Sequence, residues 1–333
     1  MFNFFSRSSA CRLLRGGALA GAALAVSPSF AQTFPEPGRP IIVMVGFAAG
    51  GTVDLMAREI APALSKALGT TVVVEDKPGA NGVIAAMDVV HAKADGYTLL
   101  FTFAGTFAQY PYTMAHIPYN VFKDFTPIGM VATGPMVLES NVALPVKNVQ
   151  ELVAYAKANP GKLRIASPGV GSSPYIYAAK FMQEANIHLL QVPYKGAGDA
   201  MPDLLSGRVQ LAFDGAPSAV QSVATGRLRM LGITAAQRSP LLPDVPTLSE
   251  QGVPGLDLPG WNGYFGPPNL PRPIVEKLNA AITTAVNDPD VKALFAKGLW
   301  EAKSSTPEEL TQRVKLDNER WGKIIKDAGI TPQ

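Results

Sequence analysis

Between Gly46 and Arg58 the chain reads GFAAGGTVDLMAR, small residues followed by a hydroxyl, a carboxylate and a guanidinium. The apolar run Ile41–Val45 precedes it. A helical pattern leaves it, with Val53, Met56, Ala57, Ile60, Ala61, Leu64, Ala67 and Leu68 on one face. A strand that ends in a glycine turn and opens a helix leaves backbone N–H groups free at the positive end of a helix dipole. That is a seat for an anion. The outline from Gly46 to Gly51 and Thr52 resembles a P-loop, but the lysine that should follow Gly51 is missing, so no nucleotide triphosphate chemistry is inferred. Asp54 lies two residues past Thr52, the expected N-cap, and four before Arg58, an ion-pair spacing. Two roles for Asp54 stay open: an ordinary helix-start acid, or a group that shapes the loop.

Four further segments fall at the same kind of place, after a strand and before a helix. Ser167–Ser173 (SPGVGSS) offers Gly169 and Gly171 for close backbone approach and Ser172 and Ser173 as hydroxyls at a helix start. A nucleophilic serine would need a base, and His91, His116 and His188 stand in ordinary settings, outside any G-x-S-x-G elbow. In Tyr194-Lys195-Gly196-Ala197, Lys195 either meets an acidic ligand or is simply solvated. Asp214 either accepts a hydrogen bond from a ligand or caps the next helix. The segment 101–112 carries Gly105 and Thr106 beside a run of aromatic residues. Phe107 and Tyr110 lie past the end of the strand, so they line a pocket or pack in the core. With three histidines and no cysteine outside the first 31 residues, no metal cluster emerges, and no cofactor is called for. Donors are plentiful at these strand ends and catalysts are few, which favours capture over reaction.

These segments need rigid elements to hold them. Strands are expected at 41–46, 71–75, 97–103, 127–140, 163–167, 188–193, 209–213, 228–234 and 262–266. Helices are expected at 52–68, 81–93, 149–159, 173–185, 198–206, 216–225, 271–287, 289–297 and 307–328. The alternation argues for an α/β fold with largely parallel sheets. Asn148 with Glu151, and Thr306 with Glu309, have capping-box spacing. No Pro/Gly-rich linker divides the chain, so two domains would be joined by more than one crossing. The long runs 127–140 and 228–234, both with glycine, are the candidate crossing strands.

Residues 1–31 read as a cleaved signal peptide. Arg7, Arg12 and Arg15 precede the apolar Gly16–Val26, and Ser29-Phe30-Ala31 is a small-x-small cleavage pattern. Cys11, the one cysteine, lies within it, so the exported protein has no disulfide or thiol chemistry. Three of the 29 Lys+Arg also lie there, leaving 26 against 26 Asp+Glu. The near-zero balance argues against nucleic acid as a partner.

Seven stretches in order carry a resemblance across almost the whole chain: 38–58, 72–86, 94–101, 192–214, 226–234, 238–257 and 270–282. Together they resemble the Bug-type solute receptors of tripartite tricarboxylate transporters. The resemblance implies a type II-like periplasmic binding protein, a Venus flytrap of two α/β domains. Its domains would be 32–130 plus 232–333, and 131–231, with the cleft between them. It implies that Phe47, Ala48, Gly50, Gly51 and Thr52, with Asp54 behind them, cradle a carboxylate. Ser167, Gly171, Ser172, Ser173, Tyr194, Lys195, Gly196, Ala197 and Asp214 would face that loop from the second domain, with Gly105, Thr106 and Phe107 nearby. It implies no enzyme activity, a periplasmic location, a monomer, and partners in one small and one large membrane subunit. The ligand is expected to be a di-, tri- or aromatic carboxylate. The chain departs from the family at Pro174-Tyr175, where a histidine is common, and in the aromatic segment 103–112, which favours a larger or aromatic acid. A sensor that presents a carboxylate to a membrane signalling protein is the alternative use of the same cleft.

Overall fold

The computed structural model describes residues 34–47, 49–167, 171–194 and 197–332, and residues 34–333 pack as one unit. The expected signal peptide lies outside the described residues.

The first third of the fold alternates β1 (Ile41–Val45), α1 (Thr52–Leu68), β2 (Val72–Asp76), α2 (Val83–Val90) and β3 (Thr98–Phe103). Two short helices follow, α3 (Ala104–Ala108) and α4 (Tyr110–Thr113), then β4 (Thr126–Gly134). The middle contains β5 (Met136–Asn141), α5 (Val149–Ala158), β6 (Arg164–Ser167), α6 (Ser173–Ala185), β7 (Leu190–Pro193), α7 (Ala197–Ser206), β8 (Leu211–Gly215), α8 (Ala216–Val223) and β9 (Leu228–Ile233). The chain ends with β10 (Gly260–Gly266), α9 (Arg272–Val286), α10 (Pro289–Lys297), β11 (Glu301–Ala302) and α11 (Pro307–Asp327).

Two sheets result. The six-stranded sheet has the order β11-β4-β10-β3-β1-β2, and the five-stranded sheet the order β7-β6-β8-β5-β9. Strand β1 is Ile-Ile-Val-Met-Val, mostly buried, as a central strand covered on both faces requires. It pairs in parallel with β2 (Val43↔Val74) and β3 (Val43↔Leu99). The expectation of largely parallel sheets needs correction. Strands β10, β4 and β11 pair antiparallel in one sheet, and β5, β8 and β9 do so in the other. Strands at the crossings enter a sheet from the opposite direction to the βαβ units, so each sheet is mixed.

The expected long strand 127–140 is broken at Pro135. Residues 126–134 join the six-stranded sheet and 136–141 the five-stranded one. A proline has no N–H for the ladder, so pairing stops there and the chain changes sheets. The return path runs from Ile233, which bridges to Thr247, to Gly260 at the start of β10. Helices α3 and α4 and the two-residue β11 were not expected from the sequence.

Buried side chains of β1, β3, α1 and α9 form a core on one face of the six-stranded sheet. Met44, Leu100, Phe107, Trp261 and Phe265 form another on the opposite face, joined by Leu310 and Val314 from the first half of α11. Trp321, Ile324 and Ile325, from its second half, pack instead with α5, α6 and the five-stranded sheet. One helix therefore spans both lobes. Its start is a complete capping box: Thr306 Oγ1 accepts from Glu309 N (3.1 Å), and Glu309 Oε2 accepts from Thr306 N (2.8 Å). Asn148 makes only half a box, because Glu151 Oε2 accepts from Lys147 N instead. Among the described residues no helix is long and apolar enough to cross a membrane.

Candidate functional site

The exit of β1 is clamped. A Cβ on Gly46 would lie 2.5 Å from Gly82 Cα, so only glycine allows this loop to approach the 80–82 turn. Gly50 has φ +78°, the left-handed region. Gly51 follows with extended backbone (φ −75°, ψ 162°) and is the N-cap of α1. This corrects the expected cap: Thr52 is the first helical residue, and no side chain caps the helix.

Asp54 reaches back instead. Its Oδ2 accepts from Gly50 N at 2.7 Å, and its Oδ1 lies 2.5 Å from Arg58 Nε. That contact is an ion pair without hydrogen-bond alignment, since Asp54 Oδ1 is buried with no hydrogen-bond donor. Arg58 also pairs with Asp76 at the end of β2. Burial pushes the Asp76 carboxyl up, Arg58 pulls it down, and the charge of Asp54 adds to the push. Asp54 is 2% exposed, so the carboxylate that shapes the loop stands behind it. The N–H groups of Thr52 and Val53 meet no protein acceptor among the described residues, and both residues line a cavity of about 300 Å³.

That cavity sits where the strand ends of the two sheets meet. From the first sheet it takes Phe103, Gly105, Gln109 and Tyr110; from the second Met136, Ser172, Ser173 and Tyr177; from the crossings Gly134, Pro259, Asn262 and Trp300. Ser173 Oγ donates to Gln109 Oε1, tying the start of α6 to the segment between α3 and α4. Gly171 (φ +78°) packs there too: a Cβ would lie 2.9 Å from Thr113 Cβ. Ser172 Oγ accepts from Tyr175 N at 3.4 Å as the N-cap of α6. The wall is largely apolar, and burial raises the Tyr110 and Tyr177 phenols above their ordinary range. Among the described residues no Lys, Arg, His, Asp or Glu lines it. Such a chamber can hold an anion by backbone N–H groups at one end and an apolar body beyond it. Among the described residues it presents no acid–base pair to act on them.

Of the residues singled out in the sequence, Thr52, Gly105, Ser172 and Ser173 line this cavity. Phe47 stands behind it, its ring 5.4 Å from that of Phe103 in an edge contact. Phe107 does not line it. The ring is fully buried against Phe125 and Phe265, so it is core. Thr106 is buried too, its hydroxyl 2.7 Å from that of Thr102. Ser167 is buried at the end of β6. Tyr194 turns away, donating to Asp203 Oδ2 at 2.9 Å. Asp214 Oδ1 accepts from Gly215 N at 2.7 Å, and burial raises its carboxyl. It opens on a separate cavity of about 30 Å³ with Glu139. Ala48, Lys195 and Gly196 lie outside the described residues, as does the side chain of Ala197.

The sequence reading missed Gln109, Met136, Tyr177, Asn262 and Trp300. Phe103 and Tyr110 were visible as part of an aromatic run. Gln109 sits inside that run but carries no signal of its own type, and Met136, Tyr177, Asn262 and Trp300 reach the cavity from distant elements.

Residues 56–330 match the family described as the tripartite tricarboxylate transporter family receptor. A protein from the tcbD-tcbE intergenic region of Pseudomonas sp. (strain P51) is 39% identical over 315 residues, 92% of this chain and 92% of its own length. The solved structure of the periplasmic binding protein BugD is similar at TM-score 0.77 and 34% identity, over 90% of this chain and 100% of that one. Rpa4515 of R. palustris, solved with adipate, reaches TM-score 0.80 at 31% identity, over 90% of this chain and 100% of its own.

Proposed function

The chain belongs to the tripartite tricarboxylate transporter receptor family, whose members are periplasmic solute-binding receptors and not enzymes, and we propose that it captures a carboxylate-bearing solute in the cavity between its two sheets. The observation that carries this reading is the uncapped start of α1, where Thr52 and Val53, whose N–H groups meet no acceptor among the described residues, line the cavity. Asp54 supports it from behind by fixing Gly50 N. The site proposed is the Gly50–Val53 turn on one jaw and the Ser172–Ser173 helix start on the other. Phe107, Thr106 and Tyr194 serve packing and scaffolding in this reading.

The two sheets act as the jaws, and closure over the solute delivers it to one small and one large membrane subunit. Adipate on Rpa4515 gives the reading a carboxylate precedent within the family. Residues 1–31 direct export and are cleaved, and the receptor works as a monomer. A thermal-shift and calorimetric screen of mono-, di- and tricarboxylates tests the proposal. At least one acid is expected to raise the melting temperature and bind with a one-to-one stoichiometry. Turnover of any acid or ester, or silence from the whole panel, would remove the reading.

A further inference from the structure

We propose that the solute is an aromatic monocarboxylate, held by one anion seat and an aromatic chamber; this rests on the receptor reading above. The count of seats comes first. Two helix starts face the cavity, but they are not equivalent. Helix α1 offers unpaired N–H groups at Thr52 and Val53. At α6 the first turn has fewer donors to offer: Tyr175 N is taken by Ser172 Oγ, Pro174 has no N–H, and the Ser173 hydroxyl donates to Gln109. No cationic side chain among the described residues lines the wall. A second carboxylate on the solute would be stripped of water with no cationic partner among the described residues, which is unfavourable.

The chamber beyond the seat is built for a flat apolar body. Phe103 stands at the centre of an edge-to-face set, its ring 5.4 Å from Phe47 and 6.0 Å from Tyr110. Opposite, the Trp300 indole lies over two strand glycines. A Cβ on Gly134 would come within 2.7 Å of that ring, and one on Gly260 within 3.7 Å. All three tryptophans of the chain, Trp261, Trp300 and Trp321, line the cavity. Uncharged polar groups interrupt this end of the wall, among them Trp300 Nε1, buried without a hydrogen-bond partner. Asn262 is 1% exposed, and its Oδ1 is buried without a hydrogen-bond partner. Such groups suit the edge of a substituted ring and supply no charge. Adipate, found on Rpa4515, is by contrast a flexible acid with two carboxylates.

The three tryptophans supply the readout. The receptor is titrated with benzoate, phenylacetate, adipate and citrate, following intrinsic fluorescence and heat, with benzyl alcohol as the uncharged control. The expected result is that benzoate or phenylacetate binds at least ten-fold more tightly than either polycarboxylate, while benzyl alcohol does not bind. Phe103→Ala and Trp300→Leu should each weaken the aromatic acid ten-fold or more, and melting curves of the variants confirm that they fold. Tightest binding by adipate or citrate would overturn the aromatic assignment and leave the receptor reading intact. Aromatic-acid affinity unchanged in both folded variants would overturn it as well. If no acid binds at all, the receptor reading fails first and this one with it.

Discussion

In the proposed anion seat, Asp54 and Gly51 divide the work. The carboxylate of Asp54 fixes Gly50 N from behind, so the turn is formed before any solute arrives. Gly51 has a backbone that any residue can adopt (φ −75°, ψ 162°), so its lack of a side chain serves close approach rather than conformation. Gly51→Val is therefore expected to lower carboxylate affinity ten-fold or more with little change in melting temperature; calorimetry and a thermal scan check both halves. Glu139 allows a second test. It is fully buried in β5, its Oε2 accepts from Ser222 Oγ at 2.6 Å, and its Oε1 has no partner. Burial pushes its carboxyl from 4.5 to about 8, against the pull of Ser222. The fold then binds a proton that the unfolded chain releases, so stability falls as pH rises from about 4.5 to about 8. Glu139→Gln removes that penalty. Its stability should match the wild type near pH 5 and exceed it above pH 8 by on the order of 5 kcal/mol, read as a higher melting temperature there. Equal curves at both pH values would show that Glu139 ionises without cost.

The elements that shape the cavity are those at which the chain changes sheets. Gly134 ends β4 beneath the Trp300 ring, and Pro135 releases the chain into β5. A Gly134→Val side chain has no room there and must push the indole away. Solute affinity should drop together with some loss of stability, and the emission of Trp300 should shift without ligand. Helix α11 behaves differently. Its capping box lies at its first turn, while its buried residues serve both lobes. Thr306→Ala should cost about 1 kcal/mol, as loss of an N-cap does, read as a fall of roughly 2 °C in the melting temperature with affinity unchanged.

At the scale of the molecule, capture and stability are linked. A solute that binds only the folded chain stabilises it by mass action, about 2.7 kcal/mol at a hundred-fold excess over Kd. Melting temperature should therefore climb with solute concentration without a plateau near saturation. A rise that stops at stoichiometric ligand would contradict simple two-state linkage. The proposed closure of the jaws would add a shape change: solution scattering should show the radius of gyration falling on addition of the tight-binding acid. An unchanged radius would mean that the cavity fills without closure.

The sequence by itself determined what depends on neighbours along the chain. An apolar strand, a glycine turn and an amphipathic helix leave the Thr52 and Val53 N–H groups without an acceptor among the described residues, because hydrogen-bond deficits at a helix start are local. The α/β alternation and the Thr306 cap were legible for the same reason. Tertiary structure alone decided what depends on partners far away. Pro135 sends 126–134 and 136–141 into different sheets. The aromatic run 101–112 is sorted by two short helices, so that Phe107 enters the core while Phe103 and Tyr110 face the cavity. Trp300 and Asn262 arrive from β11's approach and from β10, strands whose neighbours no local pattern specifies. The anion seat is a property of one turn. The chamber beyond it exists only where two sheets, two crossings and one long helix bring distant side chains together, because close packing between elements is not encoded in the spacing of residues within any one of them.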